Sequence, residues 1–180
     1  EEYPNRAITE RIVKYVPGNA DFAYTAQDIK TYFADKAIST LLLINPDNPS
    51  GNFIPTTDLL PLIEWAHKQG ITMIVDESFV DFTDDFANNS LLHNHILEAH
   101  SNLVVVKSIS KSYGVPGLRL GVLASGDKTL IACMKKEVAI WNINSFAEFY
   151  MQIFGKYEKD YTVACHKFIE ERSIFFEELQ

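Results

Sequence analysis

Ser108-Ile-Ser-Lys-Ser-Tyr-Gly-Val-Pro-Gly-Leu-Arg-Leu-Gly121 follows the apolar run Leu103 to Val106 and leads into a second, Leu118 to Ala124. Short apolar runs bounded by polar and turn residues read as buried strands. The stretch is therefore a loop between one strand and the next. In the loop a single lysine, Lys111, stands among small hydroxyl residues, and Arg119 follows eight positions later, past Gly114 and Gly117. A lysine flanked by small residues at a strand end is a candidate amine nucleophile, whereas a lysine elsewhere is ordinarily solvated surface. Ser108, Ser110 and Arg119 around it suit an anion.

Outward from this loop, short apolar strands alternate with helix-like stretches, the pattern of an α/β fold built on a mostly parallel sheet. Ile12 to Val16 is a short strand candidate closed by Pro17-Gly18. Thr40 to Ile44 is a continuous apolar run, as expected of a strand covered on both faces. Thr57 caps a helix from Asp58 to Lys68 that carries Leu59, Leu62, Ile63 and Ala66 on one face, and Gly70 stops it. Ile71 to Val75 is the next buried strand, ending at Asp76. Asp127 opens a helix toward Ile140. From Ser145 the character changes: helical patterns over Ser145 to Phe154 and Lys159 to Leu179 follow, with no strand between or after.

The chain has 180 residues, 47% hydrophobic and 22% charged, with a net charge of -8. The length suits one domain with a real core, and the composition is that of a soluble globular protein. A negative balance excludes a nucleic-acid surface, which needs clustered Lys and Arg. No apolar run approaches the roughly 20 residues that span a membrane. Glu1 to Arg6 lack the basic-then-apolar pattern of a leader. Cys133 and Cys165 lack metal-type spacing and read as reduced and buried, which suggests a cytoplasmic location. His93, His95 and His100 fall in a polar region and read as solvated, and no metal site is expected. No Gly-x-Ser-x-Gly elbow marks a hydrolase.

Two further segments lie at the carboxyl ends of expected strands, where open α/β sheets bind ligands. Asn45-Pro-Asp-Asn-Pro-Ser-Gly51 is either a plain turn or a ligand loop, since Asn and Gly allow tight bends and the prolines stiffen it. Asp76-Glu-Ser-Phe79 puts a carboxylate directly after a buried strand, where it must be hydrogen-bonded or paired. Asp76 is either a helix cap or a ligand-facing acid.

Together, Asn45 to Gly51, Val75-Asp-Glu-Ser-Phe-Val-Asp-Phe82 and Ser108 to Gly121 resemble the class I/II (fold-type I) aminotransferases, which depend on pyridoxal 5'-phosphate (PLP). The likeness is to the branch holding histidinol-phosphate aminotransferase and threonine-phosphate decarboxylase, and it runs from Tyr3 to the last helix. It implies that Lys111 attaches the cofactor as a Schiff base and moves the proton at the substrate α-carbon. Asp76 would pair with the pyridine nitrogen and keep the ring an electron acceptor. Asn48 would donate to the phenolate oxygen, and Ser108, Ser110 and Arg119 would hold the phosphate.

Many relatives carry Tyr at the position of Phe79, whose missing hydroxyl leaves Asn48 as the main donor there. Phe79 either marks the threonine-phosphate decarboxylase side of the branch or is core packing. Asn142 and Asn144 either face substrate or form a polar turn.

The resemblance implies amino transfer from an amino acid or amino-phosphate. The alternatives are a decarboxylase of the threonine-phosphate type and a non-catalytic, PLP-sensing domain of a regulator. It also implies a partial subunit. Residues 1–144 would be most of a cofactor-binding large domain, and 145–180 connector helices toward an absent small domain. The parent would be a homodimer, and the isolated piece inactive.

Overall fold

Apolar and β-branched runs set the frame, and the computed structural model describes it over residues 11–179. The expectation about Glu1 to Arg6 lies outside the described residues. The strands β1 (Thr40–Ile44), β2 (Thr72–Asp76), β3 (Leu103–Ser108) and β4 (Gly121–Ser125) form one sheet in that order. β1, β2 and β3 are parallel, and β4 returns antiparallel to β3. The α/β, mostly parallel architecture expected from the sequence is present.

The helices are α1 (Ala26–Phe33), α2 (Thr56–Lys68), α3 (Phe86–Asn89), α4 (Asn94–Ala99), α5 (Lys128–Glu137), α6 (Ser145–Phe154) and α7 (Glu158–Glu178). Single 3-10 turns occupy Val80–Phe82 and Pro116–Leu118. α1 starts on a reciprocal cap: the Thr25 hydroxyl accepts from the Asp28 N–H, and the Asp28 carboxylate accepts from the Thr25 N–H. Two otherwise orphan donors are thereby satisfied.

The core lies between one sheet face and α1, α2 and α4. Leu41, Leu43, Met73, Val75, Leu103 and Val105 meet Ile29, Phe33, Leu59, Leu62, Ile63 and Ile96 there. Fully burying one such aliphatic side chain contributes about 1.5–3 kcal/mol. A smaller cluster of Ile109, Leu120 and Ala147, with Tyr113 and Tyr150 against it, seats α6 on the loop between β3 and β4. Close approach requires glycine after β4: a Cβ on Gly126 would collide with the Leu97 carbonyl.

Several sequence expectations are corrected. Ile12 to Val16 forms no strand, because it finds no ladder partner among the described residues. β1 is covered on one face only: Leu41 and Leu43 are buried while Leu42 is 40% exposed. The helix after β1 begins at Thr56 behind Pro55, so Thr57 lies inside it and does not cap it. Leu118 belongs to the 3-10 turn, and β4 starts at Gly121. α5 is capped by Asp127 as expected, through bonds from the Thr129 and Leu130 N–H groups, but ends at Glu137. Cys165 is buried and Cys133 exposed, since α5 buries none of its residues fully.

Candidate functional site

Parallel register brings the candidate residues to one end of the sheet. Ile44 pairs with Asp76 and Asp76 with Val106, so β1, β2 and β3 finish side by side. Ser108 pairs with Gly121, so the antiparallel return delivers Arg119 beside the turn that holds Lys111. Alternation along the strands puts Met73, Val75, Leu103 and Val105 on the core face and Asp76 and Ser108 on the other.

Ser78 joins those two residues. Its hydroxyl donates to Asp76 Oδ1 at 2.5 Å, its N–H donates to the same oxygen at 3.0 Å, and its Oγ accepts from the Ser108 N–H at 2.8 Å. The carboxylate that closes β2 is thus hydrogen-bonded, as a half-buried charge requires. Ser78 itself is buried, which holds the bridge away from water.

Lys111 is exposed and its ammonium lies 4.3 Å from the centroid of the Phe79 ring. The turn is closed by the Gly114 N–H, which donates to the Lys111 carbonyl, with Gly114 at φ +65° where an L side chain is disfavoured. Arg119 is exposed and adopts φ +56°, ψ +41°, an uncommon conformation for a residue with a Cβ. Its guanidinium has no carboxylate partner among the described residues.

Two other candidates are placed differently. Ser110 is buried and its hydroxyl turns to the Leu120 carbonyl at 3.5 Å, the outer limit of a hydrogen bond. Asn48 is exposed near the tip of the loop after β1. The base of that loop is fixed by buried Asn45, whose amide donates to the Ile54 carbonyl at 2.9 Å and accepts from its N–H at 2.8 Å. Asn144 caps α6 by accepting from the Ala147 N–H and donates to the Leu118 carbonyl, so its amide fastens α6 to the lysine loop.

Behind the site lies a buried polar layer that sequence reasoning missed. Lys107 Nζ meets Asp81 Oδ1 at 2.7 Å with both side chains under 10% exposed. Glu77 accepts from the Ser90 hydroxyl at 2.7 Å and the Leu91 N–H at 2.8 Å. Burial pushes its carboxyl above the ordinary value. Burial, with the Asp81 charge adding to it, pushes the Tyr113 phenol up to about 12. A lysine at the end of an apolar strand was the available signal, because it must meet a buried acid.

A cleft of about 1160 Å³ lies elsewhere: it runs along β1 between Tyr15, Val16, Phe22 and Leu42, a mostly apolar wall without Asp76, Lys111 or Arg119. His93 and His95 stack at 5.6 Å between centroids, and His93 Nε2 lies 2.9 Å from the Ala87 carbonyl. Among the described residues no three His, Cys, Asp or Glu side chains gather as metal ligands. No described helix is long and apolar enough to cross a membrane.

Comparison with known proteins places the chain in a family. The family model for aminotransferase class I and II matches residues 5–180. The chain is 31% identical to a CMP-5'-(3-aminopropyl)phosphonate synthase of Streptomyces rubellomurinus, over 92% of this chain and 26% of that protein. It is 30% identical to an L-serine phosphate decarboxylase of Sulfurospirillum multivorans, over 93% of this chain and 43% of the relative. The solved structure of a histidinol-phosphate aminotransferase from Clostridium acetobutylicum superposes with a TM-score of 0.75 at 25% identity, covering 92% of this chain and 48% of that one. The chain thus spans between about a quarter and a half of the length of these relatives.

Proposed function

The chain belongs to the aminotransferase class I and II family, and from that premise we propose that it carries the cofactor-attaching lysine of a PLP enzyme. The reaction of the parent is amino transfer from an amino acid or an amino-phosphate. The observation that supports this most is the set of groups at one end of the sheet: an exposed amine, a carboxylate held by Ser78, and a cation with no acid partner among the described residues.

That donor set suits the polar groups of PLP. Lys111 would take the aldehyde, Asp76 the pyridine nitrogen, and Arg119 with Ser108 the phosphate, the guanidinium giving the strong charge-assisted bond. Asn48 would donate to the phenolate oxygen. Ser110 would join the phosphate set by giving up its long contact to Leu120. When bound, PLP supplies a ring that accepts electrons from the substrate α-carbon. Lys111, once freed by the substrate amine, would carry the proton between that carbon and the cofactor, and Asp76 would keep the ring nitrogen protonated. In this reading, residues 1–144 form part of the cofactor-binding domain, residues 145–180 are connector helices, and the parent is a homodimer.

A second reading is decarboxylation of a phosphorylated amino acid. Phe79 favours it, and so does the likeness to the L-serine phosphate decarboxylase. The cofactor residues are the same in both.

The test is to add PLP, reduce with borohydride and map the modified residue by mass spectrometry, with Lys111→Ala as control. Modification confined to Lys111 is the expected result. Labelling spread over surface lysines overturns the assignment. In the parent enzyme, O-phospho-L-threonine giving a keto acid supports amino transfer, and carbon dioxide release supports the second reading.

A further inference from the structure

Helix α7 reaches the lysine turn through Tyr161. The ring of Tyr161 stacks on Tyr113 at 4.2 Å between centroids and 13° between planes, and Phe154 packs against both. Its phenol oxygen has the Ser112 hydroxyl, the Cys165 thiol and the Asp81 carboxylate as neighbours. Ser112 and Tyr113 are the two residues directly after Lys111, so Tyr161 touches the turn at both.

Three buried oxygens in this place lack a partner of good geometry: Asp81 Oδ2, Ser112 Oγ and Tyr161 Oη. The other Asp81 oxygen is taken by Lys107. Leaving one such atom unsatisfied is strongly unfavourable, and three from separate elements rarely persist together. One arrangement satisfies all three. Ser112 donates to the Tyr161 oxygen, and the Tyr161 hydroxyl donates to Asp81 Oδ2, whose charge strengthens the second bond.

We propose that Tyr161 is a positioning residue for Lys111: its hydroxyl links Ser112 to the Asp81–Lys107 ion pair and so fastens the lysine turn to α7 and to the end of β3. The importance of the link for cofactor capture rests on the reading of Lys111 given above. The link itself does not.

The geometry also makes the turn sensitive to α7 as a whole. The same helix is fixed to the 3-10 turn Val80–Phe82 by Phe168, whose ring is 4.6 Å from that of Phe82, and by Arg172, which donates to the Phe82 carbonyl and the Asp84 carboxylate. Asp81 lies inside that turn, so one helix sets both ends of the link.

The test compares the full chain with Tyr161→Phe, Ser112→Ala and the double variant. Tyr161→Phe keeps the stacked ring and removes only the hydroxyl, while Ser112→Ala keeps α7 intact and breaks the link from the other side. Hydrogen exchange of amides 109–114, read by mass spectrometry without cofactor, should quicken about fivefold in each single variant, and no further in the double. Exchange across β1 should not change. PLP capture at Lys111, trapped with borohydride and referred to Lys128 in the same sample, should slow by a similar factor. Unchanged exchange at 109–114 in both single variants, or effects that simply multiply in the double, overturns the link. Altered exchange in a chain whose wild type shows no capture at Lys111 instead sinks the cofactor reading and leaves the link standing.

Discussion

The Lys111 ammonium lies over the face of the Phe79 ring, 4.3 Å from its centroid. A cation on an aromatic face at a partly exposed site gains about 0.5–1 kcal/mol. Phe79 therefore holds the free amine in the site as well as filling space at the end of β2. Phe79→Leu keeps the apolar volume and removes the ring face. It should speed trinitrophenylation of Lys111 by trinitrobenzenesulfonate about two- to fivefold at fixed pH, consistent with the lost attraction. Phe79→Trp should slow it. Equal rates in all three proteins would reduce Phe79 to packing.

Ser78 both supports Asp76 and takes up the Ser108 N–H. Removing its hydroxyl leaves a partly buried backbone donor unpaired and weakens a charge-assisted bond, each worth about 1–3 kcal/mol. Ser78→Ala should lower unfolding free energy in urea by about 2–4 kcal/mol, the sum of the two partly overlapping losses. Ser78→Thr, which keeps the hydroxyl, should lose less. A loss under about 0.5 kcal/mol in the alanine variant, the size of an ordinary surface change, contradicts the bridging role.

Glu77 makes stability depend on pH in an unusual direction. Burial raises its carboxyl above 4.5, against the opposing pull of the Leu91 N–H, the Ser90 hydroxyl and Lys107. The folded chain thus holds this proton more tightly than the unfolded chain does. Such a group contributes stability that is fully present below about 4.5 and is lost as pH rises through the raised folded value. Glu77→Gln removes the titration while its amide still serves Leu91 and Ser90. Urea midpoints at pH 4 and pH 7 should show the wild type losing ground to the variant as pH rises. A gap that is flat, or that moves the other way, rejects the assignment.

Arg119 occupies left-handed backbone at φ +56°, which costs a residue with a Cβ about 1–2 kcal/mol. Arg119→Gly relieves this, offset by about 0.4–1 kcal/mol of added freedom in the unfolded chain. The variant should be at least as stable as the wild type in thermal melts, yet should capture PLP at Lys111 several-fold more weakly. Destabilisation by more than about 1 kcal/mol, beyond that unfolded-state offset, would mean that the side chain serves the fold rather than an anion.

The strands were legible because their signal is local: Thr40 to Ile44, Thr72 to Asp76 and Leu103 to Ser108 are apolar runs between turn residues. The same logic placed Asp76, Ser108 and Lys111 at strand ends, and α6 falls on Ser145–Phe154 as read from its pattern. α1 escaped notice although Thr25-x-x-Asp28 was present as a capping signature. Ile12 to Val16 was over-read, since a strand also needs a partner. The polar layer was not legible because its pairs are distant in sequence. Lys107 and Asp81 are 26 residues apart, and Ser78 and Ser108 are 30 apart. Nothing near one member announces the other.

The antiparallel return of β4 has a consequence for how such a site can change. Lys111 and Arg119 are carried on a single hairpin whose ends are locked where Ser108 meets Gly121. They are therefore inherited as one cassette. Lengthening a crossover such as α2 leaves their separation alone, whereas one residue added between Ile109 and Leu120 would displace the arginine relative to the amine. Variation should gather in the crossovers, and the hairpin should change only as a unit.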